Sequence, residues 1–266
     1  MERSPYFVLG WVEKLAVECR VRGYSSKTFS AYKFHVSKFL SSALSLNGFI
    51  DSLVVAGFKS ASIRQAGFAC KFYLRLFNFS EACKVPNHKR DNKLPIILSK
   101  SEIERMIMST NNLKHRLVIM FLYSAGLRLS ELISLRWSDI DFVRSIVHIK
   151  FAKGRKDRIV MLSSKVKSAL KKLSSNRSGF VFLSSRLKKY SPSSIQLIVS
   201  RSAKRVGISK SVSPHCLRHS FATHLLESGV DISYIQRLLG HANIDTTLTY
   251  AYVAKKDVLK VKSPLD

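Results

Sequence analysis

The stretch KVPNHKRDNKLPIILS, from Lys84 to Ser99, constrains this chain more than any other, because it can continue neither a helix nor a strand. Pro86 and Pro95 interrupt it, charges crowd it, and no apolar period runs through it, so it reads as a linker between two separately packed regions. The chain therefore divides into a helical domain over 1–83, a linker over 84–97 and a second domain over 98–266. In the first region FVLGWVEKLAVECRVRG carries apolar residues at helical spacing and should end at Gly23. SSKTFSAYKFHVSKFLSSAL starts at a serine cap and repeats Phe29, Tyr32, Phe34, Val36, Phe39 and Leu40. A short segment follows Asn47-Gly48, and SASIRQAGFACKFYLRLFNF makes a further helix.

The second region mixes signals. Ser99 or Ser101 caps KSEIERMIMS, NLKHRLVIMFLYSAG reads as a buried helix ending at Gly126, and LRLSELISLRW as a shorter one. SIVHIKFAKGRKDRIVML has two β-branched runs around a polar turn with Gly154, the pattern of a β-hairpin. A helix, a strand over Gly179–Leu183 and a helix over Pro192–Val206 follow, then three helical pieces at Ser213–Ser228, Ile232–Leu239 and around Tyr250. The fold class is mainly α with a small β-sheet.

Charge narrows the function. The 266 residues hold 45 Lys+Arg against 17 Asp+Glu, a net charge of +28. Such a field attracts polyanions, nucleic acid first among them. The excess is uneven: from Phe151 to Lys210 there are sixteen Lys/Arg and one acid, Asp157, which suits a face tracking a phosphate backbone. No apolar run is long enough to cross a bilayer, and the N-terminus lacks the basic and apolar segments of a signal peptide. Cys19, Cys70, Cys83 and Cys216 show no CxxC pairing and read as reduced, mostly buried thiols, so the expected compartment is the cytoplasm.

The sharpest local feature is SPHCLRHSFATHLL, Ser213 to Leu226, which puts His215, Arg218 and His219 into the first turns of a helix. Leu217, Phe221 and Leu225 form its apolar stripe. His215 and Arg218 are three apart and neighbours on another face, while His224 falls almost opposite His215. A metal site would need further ligands, and no Cys/Asp/Glu spacing completes a set with His219 or His241. A phosphate fits better, because a helix start already presents N–H groups to an anion and an arginine adds a forked donor. Alone, this helix would read as a polar face with an ordinary core behind it. Arg128 follows a glycine turn, with Glu131 three residues on, and is either an anion clamp or half of a surface ion pair. Lys153 sits beside Gly154 at the hairpin tip, and His241 follows the helix-ending Gly240, with Tyr250 and Tyr252 beyond.

Taken together, AGLRLSEL, KGRKDRIV, SPHCLRHSFATHLLESGVDISYIQRLLGH and DTTLTYAYV resemble the tyrosine recombinase (phage integrase) family, and within it the Xer-type recombinases of bacteria and archaea. The resemblance covers about Pro95 to the end, and YSSKTFSAYKFHVSKFL is similar to that family's SAM-like core-binding domain. It implies a C-shaped clamp on DNA. It also implies that Arg128 and Arg218 are the catalytic arginines, with Glu131 supporting the first. Lys153 is then the hairpin lysine, His215 and His241 the catalytic histidines, and Tyr250 the nucleophile, with Tyr252 its competitor. His219 and His224 match the pattern as structural residues.

The implied reaction is transesterification at a DNA phosphodiester through a 3′-phosphotyrosyl link and a Holliday junction, with no metal and no nucleotide cofactor. His215 would take the tyrosine proton and Lys153 protonate the leaving 5′-oxygen. The implied partners are double-stranded DNA bearing a specific site, three further protomers in a tetramer, and a neighbour that receives the tail after Tyr250. The chain starts almost directly with the core-binding helices, so no arm-binding domain is expected. Chromosome or plasmid dimer resolution is the implied task. A mobile-element integrase, a type IB topoisomerase, a catalytically silent DNA-binding relative and a metal-dependent nuclease are the alternatives.

Overall fold

A computed structural model of the chain describes residues 5–79, 95–150, 157–173, 178–184, 186–241 and 243–251. The chain forms two compact units, residues 1–92 and 93–266. Most of the expected linker, 84–94, lies outside the described residues, as do Cys83, Lys153 and the tail from Tyr252. Among the described residues no helix is long and apolar enough to cross a membrane.

The first unit is four helices: α1 (Trp11–Val21), α2 (Ser26–Ser42), α3 (Leu46–Val55) and α4 (Ser60–Leu76). Two expectations shift here. The chain turns helical only at Trp11, because Gly10 sits in the left-handed region at φ 72° and ends the run from Phe7. Asn47-Gly48 does not break the chain but lies inside α3, whose cap is Ser45: its side chain accepts from the Gly48 N–H at 3.2 Å. The core is Val36, Phe39, Phe49, Ile50, Ile63 and Tyr73, and α4 offers α2 the small residues Ala66, Ala69 and Cys70 for close approach. Cys19, Cys70 and Cys216 are all buried, and none of them is in a disulfide.

The second unit starts with α5 (Lys100–Met108), closed by a reciprocal Ser99–Glu102 capping box. The next helix, α6 (Leu113–Ser124), is capped by Asn112 and buried at Leu117, Val118, Ile119, Phe121 and Leu122. Burial on so many sides makes it the axis of the unit: α5, α7 (Leu129–Ser134), α8 (Ser164–Leu173), α9 (Pro192–Arg205) and α10 (Pro214–Glu227) all pack on it. A short turn over Trp137–Asp139 leads into a three-stranded antiparallel sheet of β1 (Ile140–Asp141), β2 (Ile146–Ile149) and β3 (Arg158–Met161), in that order. Val147 opposes Val160 and Ile149 opposes Arg158, so the expected hairpin forms, with its tip outside the described residues. Gly179–Leu183 is not the strand its composition suggests. Gly179 takes φ 71°, and only isolated bridges, Arg136 to Phe180 and Leu183 to Lys189, survive there; the third strand is Ile140–Asp141.

Two more helices, α11 (Ile232–Leu239) and α12 (Asp245–Ala251), complete the unit. With α10 they build a small second core of Phe221, Ala222, Ile235, Leu239 and Tyr250. Gly126 is where this core meets the end of α6. It holds φ 58°, and a Cβ there would lie 2.5 Å from the Phe221 ring. Gly126→Ala should therefore lose roughly 2–4 kcal/mol through overpacking and left-handed strain, read as a lowered midpoint in urea unfolding. A wild-type midpoint would show that Phe221 moves aside freely.

Candidate active site

The glycine turn at Gly126 delivers Arg128 to the start of α7, and its backbone N–H donates to Glu131 at 2.7 Å. Glu131 then organises the surroundings. Its carboxylate accepts from Arg128 Nη1 at 2.9 Å and from both Nη atoms of Arg158 at 2.7 Å each. The Glu131 side chain is 5% exposed and that of Arg158 7%. Burial alone would raise the carboxyl pKa, but the hydrogen bonds and charge of Arg158, followed by the backbone and side-chain hydrogen bonds of Arg128, reverse this and hold it at about 2.

Three consecutive residues at the end of α11 anchor the arginines. Arg158 Nε donates to the Leu238 carbonyl at 2.7 Å, Arg218 Nη2 to that of Leu239 at 2.7 Å, and Arg128 Nη2 to that of Gly240 at 2.7 Å. They are the last helical carbonyls, which lack intrahelical partners. Gly240 ends the helix at φ 63°, as its type suggests, and turns the chain so that His241 follows at once. Arg218 is only 4% exposed; its Nη1 donates to the Gly126 carbonyl and its Nη2 lies 3.1 Å from His241 Nε2. Burial, then the charge of Arg128, brings its pKa down to about 10. Its helix leaves the cap unused: Ser213 makes no side-chain cap, and its Oγ lies 3.3 Å from Cys216 Sγ.

The histidines are held neutral. His241 Nδ1 lies 2.9 Å from the Thr247 hydroxyl, and burial followed by the charges of Arg218 and Arg128 lowers its pKa to about 4. Tyr250, 2% exposed, stacks near His241 at 6.3 Å between ring centroids. Burial raises its phenol pKa against the opposing pull of Arg218 and Arg128. Among the described residues, the side chain at its hydroxyl is His219, whose Nδ1 lies 3.0 Å away. His215, the residue expected to take that proton, is one helical turn earlier and open to solvent, its ring centroid 6.4 Å from that of His219. Desolvation, then Arg218 and Arg128, lowers its pKa too. His224 faces away and pairs its Nδ1 with the Tyr123 hydroxyl at 2.8 Å. Lys153 and Tyr252 lie outside the described residues.

Two participants escaped the sequence reading. Arg158 had a signal: it shares a strand face with Val160, which is buried, and a charge in an inward register needs a buried counter-ion. His219 had a weaker one, its i+4 spacing from His215. A cleft of about 580 Å³ opens beside Glu131, lined by Arg136, His148, Lys150 and Lys189. Among the described residues no group of three or more His, Cys, Asp or Glu could hold a metal ion.

Residues 97–257 match the phage integrase family. The tyrosine recombinase XerA of Pyrococcus horikoshii is 35% identical, the alignment covering 92% of this chain and 90% of that protein. The tyrosine recombinase XerD of Oceanobacillus iheyensis is 33% identical, covering 88% and 90%. A crystal structure of XerA recombinase superposes with a TM-score of 0.54 at 27% identity, covering 90% of this chain and 92% of that one. XerH recombinase bound to a palindromic difH substrate, in a post-cleavage complex, shares the fold with a TM-score of 0.71 at 22% identity, covering 92% and 82%.

The depressed Glu131 pKa fixes a sign. Its contribution, on the order of 3 kcal/mol, is fully present above the ordinary carboxyl value near 4.5 and is lost as pH falls toward about 2. Urea unfolding of the wild type and of Glu131→Gln should differ most at neutral pH and converge as pH falls from about 4.5 to about 2. Curves that stay parallel over that range would assign the acid sensitivity to other groups.

Proposed function

The chain belongs to the phage integrase family of tyrosine recombinases, and on that premise we propose how its residues transfer a DNA strand and on which DNA they act. Arg128, Lys153, His215, Arg218, His241 and Tyr250 form the catalytic set, with Glu131 holding Arg128 in place. The observation that carries this reading is the convergence of Arg128, Arg218 and His241 on the Leu239–His241 turn, with Tyr250 ring-stacked beside it. Two guanidinium groups fixed by carbonyls, with no reorganisation left to undergo, suit the non-bridging oxygens of a scissile phosphate.

Tyr250 attacks phosphorus, leaving a 3′-phosphotyrosyl link and a free 5′-hydroxyl, and a second strand's 5′-hydroxyl later reverses the attack. The link conserves the energy of the phosphodiester, so two similar transfers replace one hydrolysis and one ligation. Charge grows on the non-bridging oxygens in the transition state, where Arg128 and Arg218 donate, with the neutral His241 ring holding Arg218 by accepting from its Nη2. Lys153 on the hairpin protonates the 5′-oxygen as it leaves. The exposed His215 lies at the open side of the cradle, against the DNA. The basic lining of the adjoining cleft, Arg136, Lys150 and Lys189, continues the phosphate track.

The substrate is a duplex with a defined crossover site, handled by four protomers on two paired sites, the chain after Tyr250 engaging a neighbour. Relatives named XerA and XerD, similar over about nine-tenths of the chain, support resolution of chromosome or plasmid dimers in the cytoplasm as the task.

Trapping the covalent adduct on genomic DNA tests this directly. A single recurrent site is the expected outcome; adducts spread without sequence preference, with relaxation of supercoiled plasmid, would favour a topoisomerase. Tyr250→Phe should bind the mapped site and form no adduct on a nicked duplex, and an adduct in that variant would move the nucleophile to Tyr252. Arg218→Lys keeps a charge but loses the fork across two carbonyls, and should slow adduct formation on the order of 10²–10³-fold. An unchanged rate would remove Arg218 from the cradle. Chelators should have no effect, and inhibition by them would favour a metal-dependent nuclease.

A further inference from the structure

We propose that Thr247 is a positioning residue for the cradle: by accepting a hydrogen bond from His241 Nδ1 it fixes the ring so that Nε2 receives the Arg218 guanidinium, and the helix that carries Tyr250 thereby also holds the arginine. The proposal rests on the reading of Arg218 as a donor to the scissile phosphate. The first ground is burial. Thr247 is 0% exposed in α12, one turn before Tyr250, and a buried hydroxyl needs a partner. Threonine is a poor helix former, so packing alone would favour alanine or leucine there. The partner is His241 Nδ1, 2.9 Å from its Oγ1.

The second ground is that the donors and acceptors around the His241 ring can be assigned in one way. A guanidinium only donates, so His241 Nε2, 3.1 Å from Arg218 Nη2, is the acceptor. Burial, then the charges of Arg218 and Arg128, bring the ring's pKa down to about 4 and keep it neutral near pH 7. A neutral ring that accepts on Nε2 carries its proton on Nδ1. That N–H donates, and the Thr247 oxygen accepts. Gln236 Nε2 donates to the His241 carbonyl at 3.1 Å, which fixes the backbone and leaves the ring to Thr247 and Arg218.

Arg218 shows what the tautomer controls. Its Nη1 donates to the Gly126 carbonyl, and its Nη2 to the Leu239 carbonyl and to His241 Nε2. Among the described residues these contacts take three of the five N–H donors of the guanidinium and leave two for non-bridging oxygens. With the proton on Nε2 instead, two N–H groups would face each other. The guanidinium would then turn from the ring, and its free donors would lose their direction. The connection runs from α12 through Thr247 and His241 to Arg218, so seating α12 brings in the nucleophile and orients the arginine together.

The test pairs two measurements on the full chain, for the wild type, Thr247→Val, Thr247→Ser and Arg218→Lys. One is the ring-nitrogen NMR spectrum of the free protein carrying isotope-labelled histidine, with His241 assigned as the ring lost in His241→Gln. The other is adduct formation on a nicked duplex carrying the crossover site. In the wild type at neutral pH the His241 ring should show a protonated Nδ1 and a bare Nε2. Thr247→Val keeps the shape and removes the acceptor, so its His241 proton should move to Nε2. That variant should bind the duplex as the wild type does and form adduct about tenfold more slowly at saturating duplex. Thr247→Ser, which keeps the hydroxyl, should restore both the tautomer and the rate.

A proton on Nε2 in the wild type overturns the proposal without any Thr247 variant, so misfolding of one does not shelter it. Wild-type ring shifts and an unslowed rate in Thr247→Val overturn it as well. So does a slow Thr247→Val whose ring is unchanged, or a Thr247→Ser as slow as the valine variant, since the loss is then one of packing. Adduct formation at the wild-type rate by Arg218→Lys sinks the reading of Arg218 as a phosphate donor, whereas a slow Arg218→Lys beside an unaffected Thr247→Val sinks this proposal alone.

Discussion

The site depends on one buried carboxylate. Glu131 receives the Arg158 fork on both oxygens and Arg128 on one, and its oxygens also take the backbone N–H at the start of its own helix. Through those bonds the β3 strand, the start of α7 and the turn after α11 are tied to a single point. Arg128 and Arg158 also each reach a carbonyl at the end of α11, so the acid sets the place of one wall while the carbonyls set the other. A buried pair of this kind gains little over an apolar cluster of the same shape, since desolvation consumes most of the attraction, but removing its acid strands two cations. Its benefit is geometric: the arginines cannot choose among rotamers.

The same residues cap a helix. The last carbonyls of α11 need partners that the helix cannot supply, and Leu238, Leu239 and Gly240 receive one guanidinium each. Folding of α11 and assembly of the cradle are thus one event. Gly126 joins it from the other side, since its carbonyl takes Arg218 while its missing side chain makes room for Phe221.

Much of this was legible in the sequence, for identifiable reasons. The long helices announced themselves because their apolar stripes, and the serine caps of α2 and α5, Ser25 and Ser99, lie within one element. The Gly126 and Gly240 turns were legible because their left-handed backbone admits few other residues. The 179–183 stretch was misjudged because its β-rich composition says nothing about whether a neighbouring edge is available, and only single bridges formed. Arg158 was overlooked because its partner lies 27 residues away and only the folded sheet brings the two together. The contact between His219 and Tyr250 is not legible in the sequence, because it is set by the packing of α10 on α12, which no local pattern encodes.

The arginine arrangement has a thermodynamic side. Two guanidinium groups share the Glu131 carboxylate and a third, Arg218, lies close by bonded only to neutral groups, so positive charge is in excess in a buried place; burial first, then the charge of Arg128, brings the Arg218 pKa down to about 10. On the proposed function, an occupying phosphodiester would supply the missing negative charge, and a duplex bound there would stabilise the native state in proportion to its binding. The unliganded protein would then sit below the stability of its complex by the repulsion that the phosphate relieves.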